Sequence, residues 1–288
     1  MFLLIESLQV PTFRKPWPAL ARFADAPTPA NLDFLFHDSY TIDPADLRKT
    51  ILTLAVQGKL VPQDPNENPG LEGTLFREED TPKTPKILSL PNGWRIAPLA
   101  KVAEQIVDCP HSTPKWAKDG KICVRTNQFR PGYLDLSAPQ YVSEETFIER
   151  TRRLKPEQGD ILYSREGGIL GVACRVPPNV DICLGQRMML IRAGKSTSPQ
   201  FLELVLNSPL ITEIARRETT GGAAPRINVR TVKAYPIPVP PLSEQRRIMA
   251  KVDQLMALVD RLEAQLAASR ETASSLMNAM VAELTGND

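Results

Sequence analysis

The strongest constraint on the fold is a proline-rich stretch that runs directly into a long heptad pattern. Tyr235-Pro236-Ile237-Pro238-Val239-Pro240-Pro241 is followed by Leu242-Ser243-Glu244-Gln245-Arg246-Arg247-Ile248. Proline fixes φ and cannot continue a helix, so the first run is expected to be a stiff extended connector. Ser243 is expected to cap a helix, with Glu244 suited to the positive end of its dipole. Beyond it, apolar or small residues alternate in steps of four and three at Ile248, Val252, Leu255, Val259, Leu262, Leu266, Ser269, Ala273, Leu276 and Met280. Such a seam needs a partner helix. The same spacing occurs on an amphipathic helix packed on its own domain. However, a helix of roughly 40 residues spans about 60 Å at 1.5 Å per residue. That is longer than a domain of this size is wide. A globular body strapped to a rod points to a spacer and assembly device rather than an enzyme.

Bulk properties narrow the classes. The chain has 288 residues, enough for one core and room for a second domain. Hydrophobic residues are 42% and the formal net charge is +2, so a histone-like excess of base is absent. The middle of the chain is more basic than the mean, because many acids lie in the last stretch. Cys109, Cys123, Cys174 and Cys183 show no CxxC spacing, and His37 and His111 are the two imidazoles. No metal site is expected, and free thiols fit a reducing compartment. Met1-Phe2-Leu3-Leu4-Ile5 is short, lacks a basic flank and meets Glu6 at once, so neither a signal peptide nor a membrane span is expected. The expected location is the cytoplasm.

Along the chain, five segments emerge. Residues 1–42 are interrupted by Pro11, Pro16, Pro18, Pro27 and Pro29 and have no clear role. Residues 43–61 hold a short helix, with Asp43 as cap, Pro44 at the first position and Leu47, Ile51 and Leu54 on one face. Residues 62–89 read as a Pro-rich linker. Residues 90–241 form a mixed α/β domain. Its predicted strands are Ile122–Val124, Asp160–Tyr163 and Met188–Ile191, and its predicted helices follow Ser143, Ser198-Pro199 and Ser208-Pro209. Residues 242–285 are the long helix. The fold class is α+β: one mixed α/β domain plus long spacer helices forming a coiled coil.

Catalytic signatures are missing from the sequence. There is no phosphate-binding GxxxxGK[ST] loop, and Gly167-Gly168-Ile169-Leu170-Gly171 lacks the order of a dinucleotide fingerprint. Val176-Pro177-Pro178-Asn179 is not the loop by which amino-methyltransferases hold a base, and Asp160 reads as the cap of a turn into a strand. Nucleic-acid chemistry is better represented. His111, Ser112, Thr113, Lys115, Lys121, Arg125, Asn127 and Gln128 cluster in one stretch. Arg165 ends a second stretch; Thr219, Thr220, Gly222, Arg226 and Asn228 lie in a third. Arg and Lys neutralise phosphates, Arg can fork to guanine, and Asn or Gln can pair with adenine. Glycine-rich loops let backbone N–H groups approach phosphate closely. Each has a plainer reading: Asn228 as a local side-chain turn, Arg216-Arg217 as a solvated helix end, Trp94 and Trp116 as core.

Taken together, four short motifs resemble the specificity subunit of type I restriction-modification systems, in a half-size form with one target recognition domain. Leu52-Thr53-Leu54-Ala55-Val56-Gln57-Gly58-Lys59-Leu60-Val61-Pro62-Gln63 looks like the end of that family's spacer helix. Leu90-Pro91-Asn92-Gly93-Trp94 looks like the entry to a recognition domain, and Gly159-Asp160-Ile161-Leu162 and Pro240-Pro241-Leu242-Ser243-Glu244-Gln245 match further motifs. The resemblance covers about residues 43–285. It implies a non-catalytic reader of double-stranded DNA that directs separate adenine methyltransferase and restriction subunits to a bipartite site. S-adenosylmethionine, Mg and ATP are then expected only in those partners, with no cofactor in this chain. The family commonly has two recognition domains and two long helices. Here one of each is visible, so an antiparallel homodimer is expected, with Ile248, Val252, Leu255, Val259, Leu262 and Leu266 as its seam; the alternative partner is another half-subunit from the same locus. The alternative is an assembly or regulatory half-subunit that binds the modification subunit without reading DNA.

Overall fold

The computed structural model describes residues 43–67, 90–221 and 225–285. The described parts of Leu52–Met249 form one compact unit, and the described parts of Phe13–Ile51 and Ala250–Asp288 form another. The expectations for residues 1–42, for Gly222 and for most of the 62–89 linker lie outside the described residues.

Helix α1 (Pro44–Val56) starts as its sequence dictates. The Asp43 carboxylate accepts the Ala45 N–H at 2.8 Å, and Leu47, Ile51 and Leu54 are buried. The chain then turns at Gly58, whose φ of +68° is a left-handed conformation that side chains resist.

The mixed α/β domain is built on two four-stranded sheets. One contains β2 (Ala103–Asp108), β8 (Ile161–Ser164), β9 (Ala173–Arg175) and β11 (Met188–Ala193) in the order β2-β11-β8-β9, all antiparallel. The other contains β3 (Trp116–Ala117), β4 (Lys121–Val124), β7 (Tyr141–Val142) and β10 (Ile182–Leu184) in the order β10-β4-β7-β3, with β10 parallel to β4. A small hairpin of β5 (Phe129–Arg130) and β6 (Tyr133–Leu134) stands beside them. Val124, Phe129, Leu162, Cys174, Ile182, Met188 and Leu190 share one core. Each of the three apolar runs predicted as strands is a strand. The helices are short: α2 (Leu99–Val102), α3 (Glu144–Thr151), α4 (Pro199–Asn207), α5 (Pro209–Arg217) and α6 (Val229–Lys233). Ser143 and Ser198 cap α3 and α4, accepting the N–H of Thr146 and Phe201 at 3.2 Å each. Asp160 caps its turn, accepting from the Glu157 N–H at 2.9 Å while Arg192 forks onto it at 2.9 and 2.8 Å.

The proline run is more than a connector. Pro236–Val239 is strand β12, buried along its length and antiparallel to β1 (Arg95–Pro98), with Pro238 opposite Ile96 and Pro236 opposite Pro98. Prolines at alternate positions leave the N–H groups of Ile237 and Val239 for the single neighbour, so a proline-rich strand fits a two-stranded ribbon.

Helix α7 (Leu242–Thr285) follows, 44 residues long. Its first turn is buried in the α/β domain rather than displayed. Both carboxylate oxygens of Glu244 accept the Trp94 indole N–H, at 3.0 and 3.1 Å, and Gln63 donates to Glu244 at 2.7 Å. Gln245 accepts from the Ser198 N–H at 2.8 Å and donates to the carbonyls of Ser196 and Pro240 at 2.9 and 3.0 Å. Arg247 pairs with Glu67. Three of the motifs that carried the resemblance thus meet at one joint. The compact unit therefore runs past Pro241 to Met249, beyond the expected boundary at 241–242, because these side chains are satisfied only by the domain.

The seam divides in two. Ile248, Val252, Leu255 and Val259 are buried, whereas Leu262 and Leu266 are half-buried and Ser269 is exposed. Leu276 is 62% exposed, and the side chains of Ala273 and Met280 lie outside the described residues. Within the second unit, Arg48 of α1 bonds Asp260 and Glu263 of α7 at 2.7 and 2.6 Å. The first half of the seam is thus covered within the chain itself, by contrast with the expectation that all six positions await a second copy.

Candidate nucleic-acid interface

Asp108 at the end of β2, Arg165 and Glu166 just after β8, and the residues leading into α6 converge on one cleft of about 550 Å³. Five of the fourteen nominated residues line it: His111, Arg165, Thr220, Arg226 and Asn228. These come from all three sequence stretches, which the fold brings together. The cleft is braced by backbone. Thr220 and Arg226 exchange N–H···O bonds at 3.0 and 2.9 Å, and the Ile227 N–H donates to the Arg165 carbonyl at 2.9 Å. Arg150 holds the loop that carries His111. Buried, it donates to the carbonyls of Leu184 at 2.6 Å, Gly185 at 2.7 Å and Ser112 at 3.2 Å, while Gln186 donates to the His111 carbonyl at 2.7 Å. Despite its charge, Arg150 is internal scaffolding.

Within the cleft the charges are unequal in freedom. Arg165 forks onto Asp108 at 2.9 and 3.0 Å and pairs with Glu166 at 2.8 Å, with its side chain only 8% exposed. Burial pulls its pKa down, but the hydrogen bond and charge of Asp108 outweigh that and hold the guanidinium above its ordinary value. Arg165 is therefore a wall of the cleft, not a free phosphate contact as its sequence suggested. Arg226 is exposed on the rim, and its side chain makes no ion pair among the described residues. His111 is exposed and lies 3.3 Å from Asp108. Asn228 caps α6, its side-chain oxygen accepting the Arg230 N–H at 2.8 Å, which is the plainer reading.

The remaining described nominees lie outside the cleft. Gln128 is buried, its side-chain oxygen accepting the Arg125 N–H at 2.8 Å, so it supports structure rather than facing a ligand. Lys121 is half-buried between Asp181 at 3.5 Å and Glu144 at 3.9 Å, above the Phe147 ring. Thr219 donates to the Ala215 carbonyl at 2.7 Å at the end of α5. Ser112, Thr113, Lys115, Arg125 and Asn127 are exposed. Trp94 is core as expected, but Trp116 is 41% exposed, because its two-residue strand is the sheet edge. Sequence reasoning missed Asp108 and Glu166, the acids that balance the cleft. Alternating acids and bases near strand ends give no signal of convergence. Among the described residues, no group of three or more His, Cys, Asp or Glu side chains could hold a metal ion, and no helix is long and apolar enough to cross a membrane.

Comparison with known proteins points one way. The family model for the type I restriction modification DNA specificity domain matches residues 110–269. The type I restriction enzyme EcoAI specificity subunit of Escherichia coli is 26% identical over 271 residues, covering 83% of this chain and 44% of that one. The EcoEI specificity subunit of Escherichia coli is 22% identical over 309 residues, covering 96% and 49%. The chain thus spans about half the length of the curated relatives it matches. Two solved structures share the fold. One is a chain from a study of complex assembly and conformational transition in the type I R-M system (TM-score 0.53, 22% identity, 82% of this chain and 52% of that one). The other is the HsdS subunit from Thermoanaerobacter tengcongensis (TM-score 0.50, 19% identity, 91% and 55%).

Proposed function

The chain belongs to the type I restriction-modification DNA specificity family, and from that premise we propose that it reads double-stranded DNA for a multisubunit complex. It acts in the cytoplasm as a specificity determinant, with no chemistry of its own. Separate modification subunits methylate adenine and a restriction subunit cleaves. S-adenosylmethionine, Mg²⁺ and ATP belong to those partners. The observation that carries this reading is the convergence of His111, Thr220 and Arg226 on one cleft. The rim of that cleft offers an exposed guanidinium, a hydroxyl and an imidazole to phosphate or base edges. Two copies pair through the second half of the α7 seam, where Leu276 is exposed, and the resulting two-fold axis sets two inverted half-sites.

A second reading has its own support. Asp108 and Glu166 face Arg165 and Arg226, so the cleft is nearly charge-balanced and attracts phosphate weakly. An assembly half-subunit that binds the modification subunit without reading DNA would have such a surface. Mapping methylated adenine across the host genome, with and without this gene, separates the two. Loss of one bipartite motif on deletion supports the reader, and a palindromic motif supports the homodimer. An unchanged methylome in a host expressing the modification subunit removes the DNA-reading function and leaves the assembly role.

A further inference from the structure

We infer that Arg125, backed by Trp116, reads a guanine in the recognised half-site. The inference rests on the DNA-reading function proposed above and adds a contact outside the cleft. The Arg125 guanidinium lies 5.7 Å from the centroid of the Trp116 ring, and the indole is 41% exposed. Among the described residues this is the one arginine placed over an aromatic ring.

Its backbone is equally fixed. The Arg125 N–H donates to the side-chain oxygen of buried Gln128 at 2.8 Å, and the Gln128 N–H returns to the Arg125 carbonyl at 3.0 Å. The buried amide nominated as a reader thus holds the arginine that follows β4.

Charge separates Arg125 from several other arginines of the domain. Arg130 pairs with Asp135, Arg165 with Asp108 and Glu166, Arg175 with Glu203, and Arg192 with Asp160 and Glu157. Arg150 is spent on carbonyls. Arg125 is exposed and has no carboxylate partner among the described residues. Lys115 and Lys118 are also exposed without an ion pair there, with Asp119 the adjacent acid in the sequence.

Stacking leaves the N–H edge of a guanidinium open while removing much of its rotational freedom. A directional fork to guanine O6 and N7 needs that restraint. A phosphate needs only a mobile cation, which Lys115 and Lys118 supply. The arrangement therefore favours a base contact over a backbone contact, with Trp116 as the positioning residue.

The test is selection from a pool of randomised DNA duplexes by the chain assembled with its modification subunit, comparing wild type with Arg125→Lys, Arg125→Ala, Trp116→Leu and Trp116→Phe. Unchanged thermal midpoints establish folding first. The expected result is loss of guanine preference at one position in the Arg125 variants, by roughly 5- to 150-fold, with the rest of the motif kept. Trp116→Leu weakens the same position, and Trp116→Phe restores it. Uniform weakening of Arg125→Ala with an unaltered motif and a salt slope lowered by about one marks a phosphate contact and overturns the inference. So does an unaffected Arg125→Lys. A wild-type complex that enriches no motif removes DNA reading itself, a failure distinct from the others.

Discussion

Glu203 shows how far burial governs a single carboxylate. Arg175 donates to one of its oxygens at 2.6 Å, yet the other is buried without a hydrogen-bond partner. Burial outweighs the guanidinium and pushes the carboxyl up to about 7. The folded state then holds this proton more tightly than the unfolded chain does. That stabilisation is present in acid and is lost as pH rises from the ordinary carboxylate range through about 7, a change on the order of 3 kcal/mol. Urea unfolding at pH 5 and pH 8 should show it, and Glu203→Gln should flatten the difference. A wild-type stability that rises over this interval would count against it. Glycine offers a second contrast. A Cβ on Gly58 would meet Pro91 Cγ at 2.5 Å and Cδ at 2.8 Å, whereas one on Gly93 meets nothing within 4 Å. Both have positive φ, +68° and +87°. Gly93→Ala should cost about 1 kcal/mol from backbone strain alone, and Gly58→Ala about 2–4 kcal/mol. Equal denaturation midpoints for the two would refute the steric argument.

Among the elements, α7 does two jobs along one axis. Its first turn is a buried anchor whose polar groups are satisfied by the recognition domain, and its seam is buried only through Val259. Val259→Asp should therefore destabilise the folded chain by about 3 kcal/mol or more, because it buries an unpaired charge. Leu276→Asp, at a position 62% exposed, should leave thermal stability unchanged and abolish self-association measured by light scattering. An associating Leu276→Asp protein would place the copy-to-copy contact elsewhere. β12 makes the complementary point. Proline dictated an extended backbone, but only pairing with β1 made that backbone a strand.

For the whole molecule, the cleft distinguishes residues that build its walls from residues exposed on its rim. Arg165→Ala strands the Asp108 carboxylate in a half-buried site and should cost about 3 kcal/mol of stability. Arg226→Ala should leave stability within about 0.5 kcal/mol but weaken DNA binding and lower its salt slope by about one. The reverse pattern, measured by denaturation and by binding across salt, would exchange their roles. Sequence patterning found the elements well, because strand runs such as Ile161–Ser164 and caps such as Ser143 and Ser198 are local. It found the candidate surface only in part. Arg125 and Arg226 make no ion pair among the described residues, whereas Lys121, Gln128 and Arg165 from the same stretches are consumed internally. Residue type reports what a side chain can bind, not whether a partner already occupies it.

The sequence by itself determined the periodicity of α7, the extended proline run, the capped helices and the absence of recognisable catalytic motifs, since each follows from spacing or from a backbone constraint. Family membership was likewise legible, in motifs whose order survives in one dimension. Tertiary structure decided that Glu244, Trp94 and Gln63 close a single joint, and that half of the seam is already covered. It also decided which arginines remain unpaired. Those outcomes depend on groups distant in the chain competing for the same hydrogen bonds and charges, and such competition exists only once the chain has folded.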